Sequence, residues 1–363
     1  MKAWRITLFT TVVLLTSLLG WSQQKRKVII DQDAAGPAGT DQTAMLLLIQ
    51  SPQTDVLGIT VVTGDEWLNA EVAHTLRMLE LVGRTDIPVM RGAEYPLIRR
   101  KEETELWEQR YGSVTWLGAW TPKFYHPPNE LGDMPEGKPT TKAADEDAAH
   151  FLVRMVHQFP GEITVYAGGP LTNLALAIAI DPEFPKLARE LVFMGASLNP
   201  QTDNPEFLNN PRHEFNVWFD PEATHIVLTA PWKRIVCTTV DISVKTQLTK
   251  DLIDKVKAGS SPSAKYMGQY SQLYGEYNYL WDELAAVAWL DPSVITKTEK
   301  RYMDIDIDHG AGYGNILTWT DPVKPKLDVQ SVEIQVDLDK DKFYKEYVEL
   351  LTAPTPKKSD SRK

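Results

Sequence analysis

The feature that most constrains the fold is an alternation of short apolar runs with longer segments of helical periodicity. The apolar runs, rich in β-branched residues, cover residues 27–31, 56–63, 87–92, 162–168, 191–197 and 234–241. Helical patterns lie between several of them, at residues 40–50, 66–83, 145–159 and 171–180. Continuously apolar strands that alternate with helices are typical of a parallel sheet covered on both faces. We therefore predict an α/β fold with an open, mostly parallel central sheet and helices on both faces.

The C-terminal part follows a different pattern. Three alternating segments, residues 302–308, 315–321 and 331–338, predict additional strands, and residues 340–351 predict a last helix. Residues 267–292, which contain many tyrosines, are interpreted as a helix. Because no linker interrupts the chain, we predict a single domain over residues 27–353, followed by a disordered tail at 354–363.

The N-terminus resembles a cleavable signal peptide. Lys2 and Arg5 precede an apolar stretch, and the small residues Gly20 and Ser22 follow it. An uncleaved anchor is the alternative, but the apolar stretch is short for a membrane span. We expect residues 1–22 to be removed and the protein to be exported, periplasmic or secreted, without stable membrane association.

Composition excludes one class of partner. The net charge is −11, with 49 acidic and 38 basic residues, and no long basic run is present. Such a surface repels the phosphates of nucleic acid, so we expect no nucleic-acid partner.

Two connections are too long for simple turns, residues 93–141 and 198–213. The first contains Trp107, Trp116 and Trp120, and the second is rich in Asn and Pro. Long connections within a compact domain are often functional, and aromatic residues argue against disorder.

Acidic residues follow the predicted strands or open the predicted helices. Asp31 and Asp33 end the first strand, Asp41 opens the next helix, Asp65 follows the second strand, and Asp282 lies near a helix start. Ligands of parallel sheets bind at the carboxyl ends of the strands, where these side chains would repel one another without a cation. Hard oxygen donors favour Ca²⁺ or Mg²⁺ over zinc. Singly, each aspartate is also compatible with a helix cap or a turn.

Several segments together resemble the inosine–uridine-preferring nucleoside hydrolase family. They are VIIDQD, TDQTAMLLL, VLGITVVTGD, ITVYAGGPLTNLALA, LVFMGAS, HEFNVWFDPEA and WDELAAVAWLDPSVI, in the family's order and covering most of residues 27–295. The resemblance implies hydrolysis of the N-glycosidic bond of ribonucleosides, with nucleoside as partner and commonly a dimer or tetramer as assembly.

The resemblance also implies roles for individual residues. A Ca²⁺ ion would be held by Asp33, Asp41, Asp282 and the main-chain carbonyl of Gly168, and Asp33 would be the general base towards a calcium-bound water. Contacts to ribose would come from Asp65, Met194, Glu214, Asn216 and an asparagine of the 198–213 loop, for which Asn209 and Asn210 compete.

Two departures from the family pattern bear on substrate and activity. Trp281 precedes the last metal aspartate where many members have histidine, which resembles the purine-preferring branch, and Asp65 points the same way. In that branch tryptophans sandwich the base and favour its protonation, so Trp281 is a candidate catalytic residue. Trp107 is the candidate for the second wall, with Trp116 as the alternative.

The second departure lies before the first helix. Thr40 stands where the family usually has an aspartate, and three extra residues lengthen the preceding loop, AAGPAG, which we expect to be more flexible. An alternative function is therefore a catalytically impaired nucleoside- or sugar-binding protein. A phosphatase of the haloacid dehalogenase type also begins with a DxD strand, but Ala35 and the later motifs do not fit it.

Overall fold

The computed structural model describes residues 25–122, 125–326 and 328–356. Its strands are β1 (Arg26–Gln32), β2 (Thr54–Val61), β3 (Val89–Arg91), β4 (Ile163–Ala167), β5 (Glu190–Met194), β6 (Ile235–Thr238), β7 (Ile295–Ile305), β8 (Ile316–Trp319) and β9 (Ser331–Leu338). In this part of the chain they form one sheet in the order β3-β2-β1-β4-β5-β6-β9-β7-β8.

The helices of the described residues occur between and after these strands. They are α1 (Thr40–Gln50), α2 (Leu68–Val82), α3 (Lys101–Tyr111), α4 (Ala148–Gln158), α5 (Thr172–Ile180), α6 (Phe184–Leu187), α7 (Pro205–Asn209), α8 (Phe215–Phe219), α9 (Pro221–Thr229), α10 (Val240–Ser243), α11 (Lys250–Lys257), α12 (Pro262–Tyr270), α13 (Trp281–Leu290) and α14 (Lys340–Thr352). Short 3-10 turns cover Gly118–Trp120 and Pro292–Val294.

The sheet is parallel from β3 to β9 in the spatial order, and β7 pairs antiparallel with both β9 and β8. Side chains of successive strand residues point to opposite faces. In β1, Val28 and Ile30 therefore pack into one core with α1, α2, α13 and α14, whereas Ile29 packs into a second core with α4, α5 and α9. The predicted α/β class, with helices on both faces and added C-terminal strands, is confirmed.

The prediction of one helix over residues 267–292 is wrong. The structure has α12 ending at Tyr270 and α13 beginning at Trp281, with an irregular segment between them. Gly275 has a φ of 68°, and the Asn278 side chain accepts from the Tyr274 amide and donates to the Gly275 carbonyl. This turn uses side-chain hydrogen bonds that compete with helix formation. Because the helix is interrupted here, Trp281 and Asp282 lie in the first turn of α13.

Several N- and C-terminal expectations fall on residues that the structure does not describe. The predicted signal peptide, residues 1–22, lies outside the described residues, as do residues 357–363 of the predicted tail. Among the helices that are described, none combines the length and hydropathy that crossing a membrane requires.

Candidate active site

A cavity of about 350 Å³ lies where the parallel strands end and the following helices begin. The predicted site residues that line it are Asp33, Asp41, Asp65, Gly168, Met194, Glu214, Asn216, Trp281 and Asp282. They come from the ends of β1, β2, β4 and β5 and from the starts of α1, α8 and α13. Parallel strand order brings these ends to one edge of the sheet, which is why residues distant in sequence meet there.

Asp33 lies one residue beyond β1 and is 1% exposed. Its Oδ2 accepts from the Asp65 amide at 3.1 Å. Two glycines enclose its carboxylate: a Cβ atom on Gly64 would lie 2.0 Å from Asp33 Oδ2, and one on Gly169 would lie 2.6 Å from Asp33 Oδ1. Both positions therefore require glycine for Asp33 to keep this orientation.

Asp41 and Asp282 meet because α1 and α13 pack against each other with their first turns at the cavity. Their carboxyl groups lie close enough to repel each other when both are ionised. The Gln32 side-chain amide donates to Asp41 Oδ1 at 3.0 Å and to Asp282 Oδ2 at 2.7 Å. Asp282 Oδ1 is buried and has no hydrogen-bond partner among the described residues. The two carboxylates therefore share one uncharged donor, the Gln32 amide, which cannot neutralise two negative charges.

Burial and mutual repulsion shift the acidity of this cluster. Burial raises the pKa of Asp33 well above its usual value, and the carboxylates of Asp41 and Asp65 raise it further. Burial followed by repulsion from Asp282 raises the pKa of Asp41 well above its usual value. Burial also raises the pKa of Asp282 to about 7. A cation among these groups would lower all of these pKa values, because it favours the ionised form.

The donor chemistry of the cluster fits a divalent cation. It offers hard carboxylate oxygens, one of them unpartnered, and the carbonyl of Gly168 at the end of β4. As the side chains are placed, however, no group of three His, Cys, Asp or Glu residues in the described parts of the chain is arranged to hold a metal ion. A cation would therefore require some of these carboxylates to move closer together.

The residues expected to contact ribose are connected by hydrogen bonds. Glu214 precedes α8, and its carboxylate accepts from the amides of Asn216 and Val217 as a helix cap and from the Ala196 amide at 2.9 Å. Asn216 donates its side-chain amide to the Gly168 carbonyl at 2.6 Å and to the Met194 carbonyl at 3.3 Å. These bonds hold the ends of β4 and β5 and the start of α8 together around the cavity.

The aromatic lining differs from the expectation in one tryptophan. Trp281 and Trp116 both line the cavity, together with Phe207 and Tyr277. Trp107 does not; its indole NH donates to the Gly310 carbonyl at 2.9 Å, and its ring lines a separate cavity. Trp107 lies within α3, whereas Trp116 lies in the irregular segment that follows this helix.

Trp116 is also connected to the acidic cluster. Its indole NH donates to Asp65 Oδ1 at 2.6 Å. Behind it, an aromatic cluster anchors this connection to the body of the protein through Trp67, Trp120, Phe215, Trp218 and Phe219. This part of the long connection is therefore packed against the body of the protein, and its residues Thr115 and Trp116 form part of the cavity wall.

Comparison with known proteins assigns the chain to a family. The family model for "Inosine-uridine preferring nucleoside hydrolase" matches residues 28–345. The chain belongs to this family. It is 33% identical over 288 residues to "Probable uridine nucleosidase 2" of Arabidopsis thaliana, covering 76% of this chain and 80% of that protein. The predicted activity, hydrolysis of ribonucleosides at the N-glycosidic bond, is confirmed at the level of the family.

Solved structures agree with this assignment. A plant nucleoside hydrolase superposes with a TM-score of 0.73 at 28% identity, covering 91% of this chain and 99% of that one. A purine-preferring ribonucleoside hydrolase from Gardnerella vaginalis has the same fold, with a TM-score of 0.72 at 21% identity over 90% of this chain and 98% of its own.

In this nucleoside hydrolase the lengthened loop before α1 is anchored. Ala34 and Ala38 are buried, and the Ala38 amide donates to Gln42 Oε1 at 2.9 Å and to the Tyr266 hydroxyl at 3.2 Å. The glycine and alanine content of the loop suggested flexibility. The sequence alone did not show that Tyr266 of α12 hydrogen-bonds to it. Thr40, the residue that replaces the usual aspartate, lines the cavity beside Asp41.

The connection before α8 also places a different residue from those expected. Asn209 ends α7 and is exposed, and Asn210 follows it. Asn204 is 9% exposed and lines the cavity, and its Oδ1 accepts from the Glu206 amide at 3.0 Å as the cap of α7. The signal was present in the sequence, since Asn before Pro is a common helix start.

Proposed function

We propose that this nucleoside hydrolase cleaves purine ribonucleosides to free base and ribose with the help of a bound Ca²⁺ ion. The observation that carries the proposal is the convergence of a buried carboxylate cluster and two tryptophans on one cavity. The cluster suits the sugar and the attacking water, and the tryptophans suit a flat, two-ring base. Names of relatives do not decide between bases, because they include a uridine nucleosidase as well as a purine-preferring enzyme.

The residues that would hold the ion are Asp33, Asp41, Asp282 and the carbonyl oxygen of Gly168. When bound, Ca²⁺ would orient the attacking water, lower its pKa and neutralise the repulsion among the carboxylates. The buried, unpartnered Asp282 Oδ1 supports this assignment, because an ionised oxygen in that position is costly without a cation.

Asp33 is proposed as the general base that accepts a proton from the attacking water. Its carboxylate lies at the cavity wall and is held by the Asp65 amide and by the close approach of two glycines. A positioned base typically contributes 10²- to 10⁴-fold to a rate. The same carboxylate, with Asp65 and Glu214, would stabilise the positive charge that develops on the ribose as the glycosidic bond breaks.

Trp281 and Trp116 are proposed to bind the base. Trp281 is supported by ring contacts with Phe207, 5.9 Å between centroids, and Tyr279, at 5.0 Å. Aromatic faces stack on a neutral base and interact more strongly with a cationic one, so they favour its protonated form as the bond breaks. Trp116 replaces Trp107 as the proposed second wall.

The test is incubation of the protein lacking residues 1–22 with inosine, adenosine, guanosine, uridine and cytidine, with and without a calcium chelator, measuring free ribose. We expect release from the purine nucleosides to exceed that from the pyrimidine nucleosides and to disappear with the chelator. Release that is faster from uridine would overturn the purine preference, and release unaffected by chelation would overturn the metal requirement. Binding of nucleosides without any release would favour the impaired, binding-only alternative.

The protein is further proposed to be exported and to form a dimer or tetramer. The first 22 residues support cleavage and release into the periplasm or the medium, which N-terminal sequencing of the protein recovered from each compartment would test. A dimer or tetramer is proposed by analogy with the family, and light scattering coupled to size-exclusion chromatography measures it.

A further inference from the structure

A second cavity, of about 360 Å³, lies between α3 and the connection from β7 to β8. It shares no lining residue with the candidate active site. Much of its lining is exposed, whereas Arg99 and Thr104 are only 2% and 3% exposed. A volume of this size is sufficient for a small molecule. The cavity therefore combines room for a ligand with buried polar side chains in its wall.

The guanidinium group of Arg99 has unused hydrogen-bond donors. Its Cζ atom lies 4.3 Å from the centroid of the Trp218 ring and 4.1 Å from that of Tyr313. These rings attract the positive charge but offer no oxygen acceptor. Within the described part of the chain, Arg99 makes one long hydrogen bond, from Nη2 to the Tyr313 carbonyl at 3.5 Å, and its buried Nε has no partner. Because a guanidinium has five N–H donors, most of them remain without an acceptor.

The charge of Arg99 is likewise not neutralised by a neighbouring carboxylate. Burial lowers the pKa of Arg99 to about 10, so the group stays charged at neutral pH. Among the described acidic residues none forms an ion pair with it, and the nearby ones have other donors. Glu222 accepts from the Tyr313 hydroxyl at 2.8 Å, and Asp220 accepts from one hydroxyl and two amides. A buried charge without a counter-charge is costly, so an anion in this cavity would stabilise the folded protein.

Two residues of α3 add donors to the same cavity. Thr104 has a buried hydroxyl that lacks a partner among the residues the structure describes. Arg110 also lines the cavity, and in the described ranges it forms no ion pair with a carboxylate. The chain has 49 acidic and 38 basic residues, so a shortage of acidic partners does not explain two unpaired arginines in one cavity. Glu103 lines the cavity as well, but it is exposed, where salt and water screen its charge.

We propose that this cavity is a binding site for a small phosphomonoester, whose phosphate group accepts hydrogen bonds from Arg99, Thr104 and Arg110. A phosphate group has three acceptor oxygens and matches the planar fork of an arginine, whereas a carboxylate has only two oxygens for donors from three side chains. Trp107 and Tyr111, with ring centroids 5.3 Å apart, supply an aromatic surface for the organic part of the ligand. The assignment does not depend on nucleoside hydrolysis, because the two cavities have no residue in common.

The test measures phosphate binding directly. The purified protein is titrated with inorganic phosphate and with phenyl phosphate in a calorimeter, at constant ionic strength and with a calcium chelator present. The chelator removes the ion proposed for the other cavity, which could itself attract phosphate. We expect one site per chain and a dissociation constant about 3- to 10-fold lower for phenyl phosphate, because its ring contacts Trp107 and Tyr111. Equal affinities would assign the site to free phosphate and overturn the phosphomonoester assignment.

Three substitutions remove the proposed donors one at a time. Arg99→Lys keeps the charge but loses the fork, and it should weaken binding of phenyl phosphate about 10- to 100-fold. Thr104→Val should weaken it about 5-fold, the size expected for one neutral hydrogen bond. Arg110→Gln should weaken it about 2- to 5-fold, because an exposed charge contributes less. The last two variants carry the test if Arg99→Lys does not fold.

Arg100→Lys is the matched control. Arg100 is exposed and outside the cavity lining, and its Nη1 already donates to the carbonyls of Pro96 at 2.6 Å and Ile98 at 3.0 Å. Binding of phenyl phosphate should therefore stay within about 2-fold of the original protein. Equal losses in Arg99→Lys and Arg100→Lys would indicate only a general attraction of anions to positive charge, and would overturn the proposed site.

Two further results would also overturn it. One is the absence of binding of either phosphate at millimolar concentration. The other is binding that all three donor substitutions leave at full strength, which would place the ligand elsewhere on the protein. A melting curve of each variant without phosphate identifies losses of stability, and only variants that are folded enter the comparison.

Discussion

Two kinds of buried carboxylate lie near the same edge of the sheet, and they differ in what satisfies them. Asp220 is buried, and it accepts from the Thr172 hydroxyl at 2.7 Å, the Leu97 amide at 2.9 Å and the Ala223 amide at 3.1 Å. Asp41 and Asp282 instead face one another and share the Gln32 amide. A carboxylate whose donors come from the protein holds loops together, whereas a cluster with too few donors has capacity left for a cation or a substrate.

The largest effect is expected for Asp33→Asn, and comparison with Asp220→Asn separates a catalytic carboxylate from a structural one. Asp33→Asn should lower kcat roughly 1,000-fold, within the range for loss of a general base, while thermal stability measured with chelator stays the same or rises because repulsion is relieved. Steady-state kinetics and a melting curve measure the two quantities. Asp220→Asn is the matched control and should do the reverse, losing stability by about 1–3 kcal/mol while the folded protein remains active. If Asp33→Asn keeps full activity, the assignment of the base is wrong.

Cation binding should stabilise the protein through the carboxylate cluster and not through Asp220. Saturation at 100 times the dissociation constant adds about 2.7 kcal/mol to the free energy of unfolding, since the unfolded chain has no assembled site. A chelator should therefore lower the melting temperature of the original protein and not that of Asp282→Asn. An equal response of both proteins to Ca²⁺ and chelator would contradict the proposed ligand set.

The cation-free protein should become less stable as the pH rises. Burial raises the folded-state pKa of Asp282 to about 7 and that of Asp33 well above its usual value, so the native state binds more protons than the unfolded state between about pH 4 and 7. The free energy of unfolding should fall across this window by about 1.4 kcal/mol per pH unit for each proton that the native state holds in excess of the unfolded state. Urea titrations with chelator at pH 5, 6 and 7 measure it, and saturating Ca²⁺ should reverse the trend because it binds the ionised carboxylates.

Trp116, in the long connection, gives a second way to test the comparison. Trp116→Phe removes the donor to Asp65 and should raise KM for inosine about tenfold, because a hydrogen bond to a charged group is lost. Asp65→Asn in the same background should add little if the two residues act as a unit. Independent, additive losses would mean that the indole NH does not orient Asp65.

The smallest effect is expected at Trp107. Its indole donates to the Gly310 carbonyl outside the cavity, so Trp107→Phe should change kcat/KM less than about 2-fold and alter stability by about 1 kcal/mol. A loss as large as that of Trp116→Phe would restore the original expectation that Trp107 is the second wall.

The fold and most of the cavity lining were predictable because both follow from local patterns. Apolar runs and helical periodicity locate β1 and α1, and the rule that ligands bind at strand ends collects Asp33, Asp41 and Asp65. Asp282 was included because the sequence places it near a helix start, although one helix was predicted over residues 267–292 and α13 begins only at Trp281.

What could not be predicted depends on contacts between distant segments. The position of Trp107 depends on its contact with the Gly310 carbonyl, 203 residues away. Asn204 rather than Asn209 lines the cavity, where it caps a short helix inside the 198–213 connection. The anchoring of the loop before α1 depends on Tyr266, more than 200 residues away.

The hydrogen bond between Gln32 and Asp282 spans 250 positions of the chain. During synthesis, the N-terminal strands and helices emerge long before α13, so the carboxylate cluster cannot assemble on a nascent chain. A protein shortened before α13 would lack part of the cavity as well as the helix that packs on α1. Binding of the proposed ion would therefore report that α13 has packed on α1, and a calcium-dependent signal would distinguish molecules with an assembled cluster from those without one.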